Sequence, residues 1–228
     1  MSTSSPYDLV IFDCDGVLVD SEPLSMKVDV EILSEHGVEM SEEEAHRRFV
    51  GKTFAAMIDE VAREYGVSFP ADTSSHKDLR LLELYERELQ VVPGVPEALR
   101  DIGHHHYSVA SNSPAQRVEA ALRITGLTPF FGNRITSFEH VARPKPEPDV
   151  FIEAARRAGY HAENCIVIED SVTGVTAAHA AGCQVLGFTG THPQQEQQAM
   201  KLLGVGARFA FSRMEALPNL VRSILHAD

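Results

Sequence analysis

The sequence predicts an α/β protein built on a doubly wound, Rossmann-like parallel sheet, and three observations support this. Short apolar runs at 9–12 and 165–168 have the length and β-branched content of buried strands. Helical patterns alternate with strand patterns from residue 93 onward, and strands separated by helices pair in parallel through right-handed crossovers. Between them, 21–90 shows helical patterns only. We therefore expect an all-helical insertion directly after the first strand.

The length of the chain agrees with this division. At 228 residues it is long for one compact domain and short for two full ones. The sequence therefore predicts a core domain made of 1–20 and 91–228, and a smaller helical domain made of 21–90.

Capping residues and apolar periodicity predict four helices in the inserted domain. The first begins at Asp20-Ser21-Glu22-Pro23, with an early proline, and ends before Gly37. Ser41 and Glu44 form a capping box for the second helix, and Thr53 caps the third. The fourth is predicted over 72–90, with an apolar face at Leu79, Leu82, Tyr85 and Leu89.

The remainder of the chain alternates between the two types of element. Helices are predicted over 96–102, 114–124, 148–158, 172–181, 194–203 and 218–226. Strands are predicted over 107–110, 134–136, 165–168, 184–188 and 208–210. In sheets of this class, ligands bind beyond the carboxyl ends of the strands.

Composition excludes several classes of function. The net charge of −13 repels nucleic acid and anionic membranes. No apolar run approaches the roughly 20 residues that a membrane span needs, and the polar start lacks the pattern of a signal peptide. Three widely spaced cysteines fit buried thiols in a reducing compartment. We expect a cytoplasmic protein; the sequence carries no signature of oligomeric state.

Two carboxylates follow the first strand. Side chains alternate along an extended chain, so Asp13 and Asp15 are expected to point the same way and Cys14 back into the protein. Close carboxylates repel one another unless a cation neutralises them, which indicates a metal site, an acid/base pair, or both. Gly16 allows the backbone to approach a ligand. A turn or helix-capping pair is the structural alternative.

Polar groups also follow three later strands, and each has a structural alternative. Ser111 and Asn112 precede a helix, where backbone amides attract anions, although Ser111 to Ser113 also suit a cap for that helix. Lys145 lies in a proline-rich segment that restricts its backbone, although prolines are common before helices. Glu169 and Asp170 follow the most apolar strand, although acids favour helix N-termini in general.

Together these groups supply three to four carboxylates, one cation and a hydroxyl around one crevice. Magnesium prefers oxygen ligands and bridges protein acids to a substrate phosphate. One carboxylate can attack phosphorus while lysine and the metal offset charge on the transferring oxygens. The composition of the crevice therefore predicts magnesium-dependent phosphoryl transfer.

The chain resembles the haloacid dehalogenase-like superfamily. The matching segments come in the family's order: Asp13-Cys14-Asp15-Gly16-Val17, Ser111-Asn112, Lys145-Pro146-Glu147-Pro148 with Phe151, and Glu169-Asp170-Ser171. The resemblance implies that Asp13 is the nucleophile and Asp15 the general acid/base. It implies that Ser111 and Lys145 hold the phosphoryl group, with Gly16 and Asn112 beside it. It further implies magnesium on Asp13, the backbone carbonyl of Asp15 and Asp170, assisted by Glu169.

The resemblance also implies a function for the helical insertion, which looks like the family's α-helical cap and is expected to open and close over the site. Such closure would bring Lys52 to the substrate; a surface lysine is the alternative. Dehalogenases of the family lack the second aspartate of the first motif, so Asp15 argues against carbon–halogen cleavage.

Within the family, the Asp20-Ser21-Glu22 opening is similar to sugar-phosphate phosphatases and β-phosphoglucomutases. Counted without gaps from Asp13, this chain has Ser25 and Phe54 where the mutases carry histidine and a phosphate-holding arginine. The resemblance therefore implies a phosphatase for a small phosphorylated metabolite, a sugar phosphate, acting through an aspartyl-phosphate. A β-phosphoglucomutase-type mutase is the alternative, in which Arg47, Arg48 or Lys52 would replace the arginine.

Overall fold

The computed structural model describes residues 9–49, 52–103 and 106–225. The chain divides into two compact units, which we call the core unit and the helical unit. The core unit comprises Met1–Asp20 and Gln90–Asp228, and the helical unit comprises Ser21–Leu89. Each unit is described below by itself.

The core unit is organised around a six-stranded sheet, whose order is β5-β4-β1-β6-β7-β8. The strands of the unit are β1 (Leu9–Phe12), β2 (Val19–Asp20), β3 (Gln90–Val91), β4 (His106–Ser111), β5 (Ile135–Ser137), β6 (Cys165–Glu169), β7 (Gln184–Phe188) and β8 (Phe209–Phe211). Every neighbouring pair in the six-stranded sheet is parallel. The α/β fold class with a parallel sheet is thereby confirmed.

Helices flank this sheet and connect its strands. The helices of the core unit are α5 (Val95–Ile102), α6 (Ala115–Ile124), α7 (Thr128–Phe131), α8 (Asp149–Ala158), α9 (Val172–Ala180), α10 (Gln195–Gly204) and α11 (Leu217–Leu225). Strands buried on both faces are apolar without alternation, and β1 and β6 are buried along their whole length. These two strands are neighbours at the centre of the sheet, where the surrounding helices exclude water from both faces.

Two features of the core unit were not predicted. β2 and β3 form a short antiparallel ribbon, in which Val19 pairs with Val91. The segment before residue 20 was expected to lead directly into a helix, and two-residue strands are too short to show a period. α7 was also missed, because four residues make a single turn.

The helical unit contains four helices, in agreement with the pattern of capping residues. They are α1 (Glu22–Glu35), α2 (Glu42–Phe49), α3 (Phe54–Tyr65) and α4 (Thr73–Glu88). Thr53 caps α3 by accepting a hydrogen bond from the backbone of Ala56, and Gly66 ends it in the left-handed conformation. None of the helices in the described parts of the chain is long and apolar enough to cross a bilayer.

The buried face of α4 differs from the prediction, because Leu81 and Leu84 are buried beside Tyr85 whereas Leu82 is only half-buried. Leu79, expected on the apolar face, is 60% exposed. Lys77 is buried in its place, and its ammonium lies 2.6 Å from a carboxylate oxygen of Asp29 on α1. An ion pair thus occupies a buried position that hydrophobic periodicity assigns to an apolar residue.

Candidate active site

The site of the core unit is centred on Asp13, which directly follows β1. Strand register places Phe12, the last residue of β1, beside Val109 of β4 and Ile168 of β6. The amide of Asp13 donates to the carbonyl of Ile168 at 2.9 Å, which fixes the backbone as it leaves the sheet. The carboxyl ends of β1, β4 and β6 therefore meet at one edge, where the first, second and fourth polar clusters were predicted.

Lys145 lies at the centre of this edge. Its ammonium donates to Asp13 Oδ1 at 2.7 Å, to Glu169 Oε1 at 2.7 Å and to the carbonyl of Ala110 at 2.9 Å. The side chain is almost fully buried, so all three N–H groups have protein acceptors in a place that water barely reaches. Phe151 packs beneath, with its ring centroid 4.9 Å from Nζ. The lysine thus joins three strand ends through one charge.

For both Asp13 and Lys145, burial and the opposite charge of the ion-pair partner shift the pKa in opposite directions. Burial raises the pKa of Asp13 to about 7, against the lowering effect of Lys145, and the nearby carboxylates of Glu169 and Asp15 add to the rise. Burial alone would lower the pKa of Lys145, but Asp13 and Glu169 outweigh it and raise that pKa above its ordinary value. Lys145 is therefore a permanent cation, and Asp13 needs further positive charge to stay ionised near neutral pH.

Glu169 is fully buried at the end of β6 and is held from both sides. Oε1 accepts from Lys145, and Oε2 accepts from both the backbone N–H and the hydroxyl of Ser171. Gly174 on α9 allows this, since a Cβ there would lie 1.7 Å from Glu169 Oε1. Both carboxylate oxygens are thus hydrogen-bonded within the protein, which suits a group that orients its neighbours.

Asp170 lies next to the loop that follows Asp13. Gly16 has a φ of +79°, and a Cβ at that position would lie 2.1 Å from Asp170 Oδ2. Residues that follow β7 hold both loops. Thr191 donates to the carbonyl of Gly16 at 2.8 Å, and Gln198 donates to the carbonyl of Asp170 at 2.6 Å. Sequence reasoning missed these two anchors, because neither residue belongs to a recognisable motif, although Thr191 follows the predicted strand over 184–188.

The end of β4 supplies the second polar cluster. The Ser111 hydroxyl is buried and accepts from the backbone N–H of Ser113 at 3.0 Å. The Asn112 side chain bonds the backbone of Lys145 twice: Nδ2 donates to its carbonyl at 3.1 Å, and Oδ1 accepts from its N–H at 3.0 Å. Asn112 thus fixes the lysine segment, and its expected phosphate contact stays a prediction.

Ser113 contacts Asp15, and Arg117 contacts Ser113; neither residue was predicted for the site. Ser113 donates to Asp15 Oδ2 at 2.5 Å, and Arg117 on α6 donates through Nη2 to the same hydroxyl. In the sequence, Ser111 to Ser113 fitted a cap for the helix that follows. α6 instead begins at Ala115. Its N-cap residue is Pro114, whose side chain makes no hydrogen bond to the helix backbone. The one signal in the sequence was the four-residue spacing between Ser113 and Arg117.

The acids fit a divalent cation. Asp13, Glu169 and Asp170 each offer a carboxylate oxygen, and these oxygens lie within 4.8 Å of one another. Oxygen donors without thiol or imidazole suit a hard ion such as Mg²⁺. Because Glu169 already accepts hydrogen bonds on both oxygens, Asp13 and Asp170 are the better direct ligands.

Lys52 belongs to the helical unit. Its ammonium lies 2.6 Å from Glu60 Oε2 and 5.4 Å from the ring centroid of Phe49. Its predicted contact with substrate stays a prediction. Lys52 also borders a cavity of about 120 Å³ within the helical unit, and Ser25, Phe54 and Lys77 line the same cavity.

Comparison with known proteins places the chain in one family. The profile described as haloacid dehalogenase-like hydrolase matches residues 10–188, which span the motifs from Asp13 to Asp170. Among curated relatives, 6-phosphogluconate phosphatase of Escherichia coli is 31% identical over 81% of this chain and 83% of its own length. Hexitol phosphatase B of Escherichia coli is 31% identical over 79% and 83%.

A solved structure gives the same result for the fold. A haloacid dehalogenase-like protein of unknown function from Agrobacterium tumefaciens is 35% identical, covers 96% of this chain and 99% of its own, and superimposes with a TM-score of 0.83. The family profile, the relatives and the shared fold agree. The chain belongs to the haloacid dehalogenase-like hydrolase family.

Proposed function

We propose that the protein is a phosphatase that hydrolyses small phosphorylated metabolites, with sugar phosphates as its substrates. The observation that carries this is the buried cluster in which Lys145 bonds both Asp13 and Glu169 at 2.7 Å. It presents a nucleophilic carboxylate beside a permanent cation at the edge of a sheet where ligands bind. The two curated relatives described above act, by their names, on phosphorylated six-carbon compounds.

In the proposed reaction, a carboxylate oxygen of Asp13 attacks phosphorus and forms an aspartyl-phosphate as the bond to the leaving oxygen breaks. Asp15 gives a proton to that oxygen. Asp15 then takes a proton from a water molecule, whose oxygen attacks phosphorus and releases phosphate and Asp13. The positive charge of Lys145 and the hydroxyl of Ser111 stabilise the phosphoryl oxygens.

We propose Mg²⁺ as the cofactor, held by Asp13 and Asp170 with the backbone carbonyl of Asp15, and with Glu169 orienting the cluster. When bound, the ion supplies positive charge to the transferring phosphoryl group. It would also keep Asp13 ionised, which the raised pKa of about 7 otherwise opposes near neutral pH.

The proposal is tested by phosphate release from a panel of sugar phosphates and from p-nitrophenyl phosphate, with Mg²⁺ and with EDTA. We expect activity that EDTA removes and that Asp13→Asn abolishes, because an amide is not a nucleophile. Asp101→Asn, at an exposed position of α5, is the matched control and should retain full activity. Full activity of Asp13→Asn would reject the proposal.

A mutase is the alternative reaction, and neither lysine at the cavity of the helical unit favours it. A mutase needs a cation for the second phosphate of its substrate, and both lysines at the cavity of the helical unit face acids. Lys52 lies 2.6 Å from Glu60, and Lys77 lies 2.6 Å from Asp29. We therefore expect net phosphate release from β-glucose 1-phosphate, if it reacts, rather than conversion to glucose 6-phosphate.

A further inference from the structure

The contact between Ser113 and Asp15 has a fixed direction. A guanidinium group can only donate hydrogen bonds, so the hydroxyl of Ser113 accepts from Arg117 Nη2. Its single proton is then directed to Asp15 Oδ2, 2.5 Å away. The chain of donors therefore runs from Arg117 through Ser113 to the carboxylate.

A second hydrogen bond connects Ser113 to the site. The backbone N–H of Ser113 donates to the hydroxyl of Ser111 at 3.0 Å, and Ser113 is 4% exposed. Its position is thus set by the end of β4, whereas Asp15 lies beyond the end of β1. The serine fixes the rotation of the Asp15 carboxyl group relative to the strand end that carries Ser111.

A purely structural function for this hydroxyl would be to cap α6, and the structure gives that function to another residue. The first amide of the helix, that of Ala115, donates to Glu139 Oε2 at 2.7 Å. Arg117 lies in the first turn of the helix, and its Nη2 donates to the hydroxyl of Ser113. The hydroxyl of Ser113 and Nη2 of Arg117 bond to each other, and the hydroxyl also bonds to Asp15, so neither group caps the helix in these contacts.

We propose that Ser113 and Arg117 are positioning residues for proton transfer by Asp15. This inference rests on the proposed function, in which Asp15 protonates the leaving oxygen and later deprotonates water. By holding Oδ2, the serine keeps the carboxyl group turned so that it meets the leaving oxygen as the bond to phosphorus breaks. Losing the hydroxyl removes this hydrogen bond to Oδ2, so the carboxyl group is oriented less well for proton transfer.

The test compares two aryl phosphates that differ by one para-nitro group, phenyl phosphate and p-nitrophenyl phosphate. Phenol is the poorer leaving group and needs the proton from Asp15, whereas p-nitrophenol leaves as its anion, p-nitrophenolate, without receiving one. In single-turnover experiments, Ser113→Ala should slow release of phenol by about 10-fold or more, within the range that general acid catalysis contributes. Release of p-nitrophenol in the first turnover should fall by less than about 3-fold.

Three variants complete the design. Ser113→Thr keeps the hydroxyl and should restore release of phenol, and Arg117→Met should repeat the selective loss without removing the serine. Ser108→Ala is the control, since Ser108 is also a buried serine of β4 and donates to the carbonyl of Arg134 at 3.1 Å. It should affect both substrates equally and weakly.

Equal losses on the two substrates in both Ser113→Ala and Arg117→Met would overturn the inference, as would no loss in an active enzyme. A failure of the proposed function would give a different experimental result. In that case the unmodified protein releases neither phenol nor p-nitrophenol faster than Asp13→Asn does.

Discussion

At the scale of single residues, Lys145 determines the electrostatics of the site. Its three N–H groups meet Asp13, Glu169 and the carbonyl of Ala110. Breaking a buried ion pair by removing one partner is costly, because the remaining charge is left in a place of low polarity. The lysine is therefore needed for the fold as well as for the proposed binding of phosphate.

We expect Lys145→Met to lower the free energy of unfolding by about 3–5 kcal/mol, the usual cost of breaking a buried pair. Methionine has a similar length but no charge. The control is Lys27→Met, since Lys27 forms an exposed pair with Glu88 at 3.3 Å and such pairs contribute at most about 1 kcal/mol. Urea unfolding of both variants in EDTA makes the comparison. Similar decreases in the free energy of unfolding in the two variants would show that the charge of Lys145 does not stabilise the buried cluster.

At the scale of helices and strands, α9 packs against Glu169, and this contact requires a glycine at position 174. Replacing glycine by alanine inside a helix normally stabilises it by up to about 1 kcal/mol. Gly174 is an exception, because the added methyl group would lie 1.7 Å from Glu169 Oε1.

We therefore predict that Gly174→Ala destabilises the protein by about 1–3 kcal/mol, the usual cost of overpacking. Gly204→Ala, at the end of α10, is the matched control, because nothing lies within 4 Å of its added Cβ. That variant should be neutral or slightly more stable. Thermal unfolding of the two variants measures the difference. A stabilised Gly174→Ala would mean that Glu169 moves without cost.

The same scale shows which elements could be predicted. β1 and β7 were predicted with their exact bounds, because a buried strand of a parallel sheet is a continuous apolar run. α3 was predicted because Thr53 and Gly66 mark its two ends chemically. The face of α4 was predicted at Leu79 and Leu82 instead of Leu81 and Leu84. The observed face begins with Lys77, a charged residue that is buried against the carboxylate of Asp29, so apolar periodicity did not reveal it.

At the scale of the whole molecule, the convergence of the polar clusters could be predicted because strand direction determines it. Once the sheet is parallel, residues after β1, β4 and β6 must share one edge, and the contacts of Lys145 connect all three. The contacts of Ser113 and Gln198 could not be predicted, since they depend on how helices pack on the sheet. Sequence patterns carry little information about such pairings between distant elements.

Charge at this edge is expected to link stability to pH and to the proposed metal. In the metal-free protein, burial raises the pKa of Asp13 to about 7, well above its ordinary value near 4. Between these two values the folded state holds a proton that the unfolded state has lost. The free energy of unfolding should therefore fall as pH rises from about 4 to about 7.

Magnesium should reverse this trend, because a cation binds the ionised form of Asp13 and competes with the proton. We predict that Mg²⁺ raises the unfolding temperature more at about pH 8 than at about pH 5, where Asp13 is protonated. At a free concentration 100 times Kd, the stabilisation should reach about 2.7 kcal/mol. Thermal unfolding with Mg²⁺ and with EDTA at both pH values measures it. Asp13→Asn should lose the metal effect and the pH trend together, because both arise from one carboxyl group. Equal stabilisation by Mg²⁺ at the two pH values would place the ion away from Asp13.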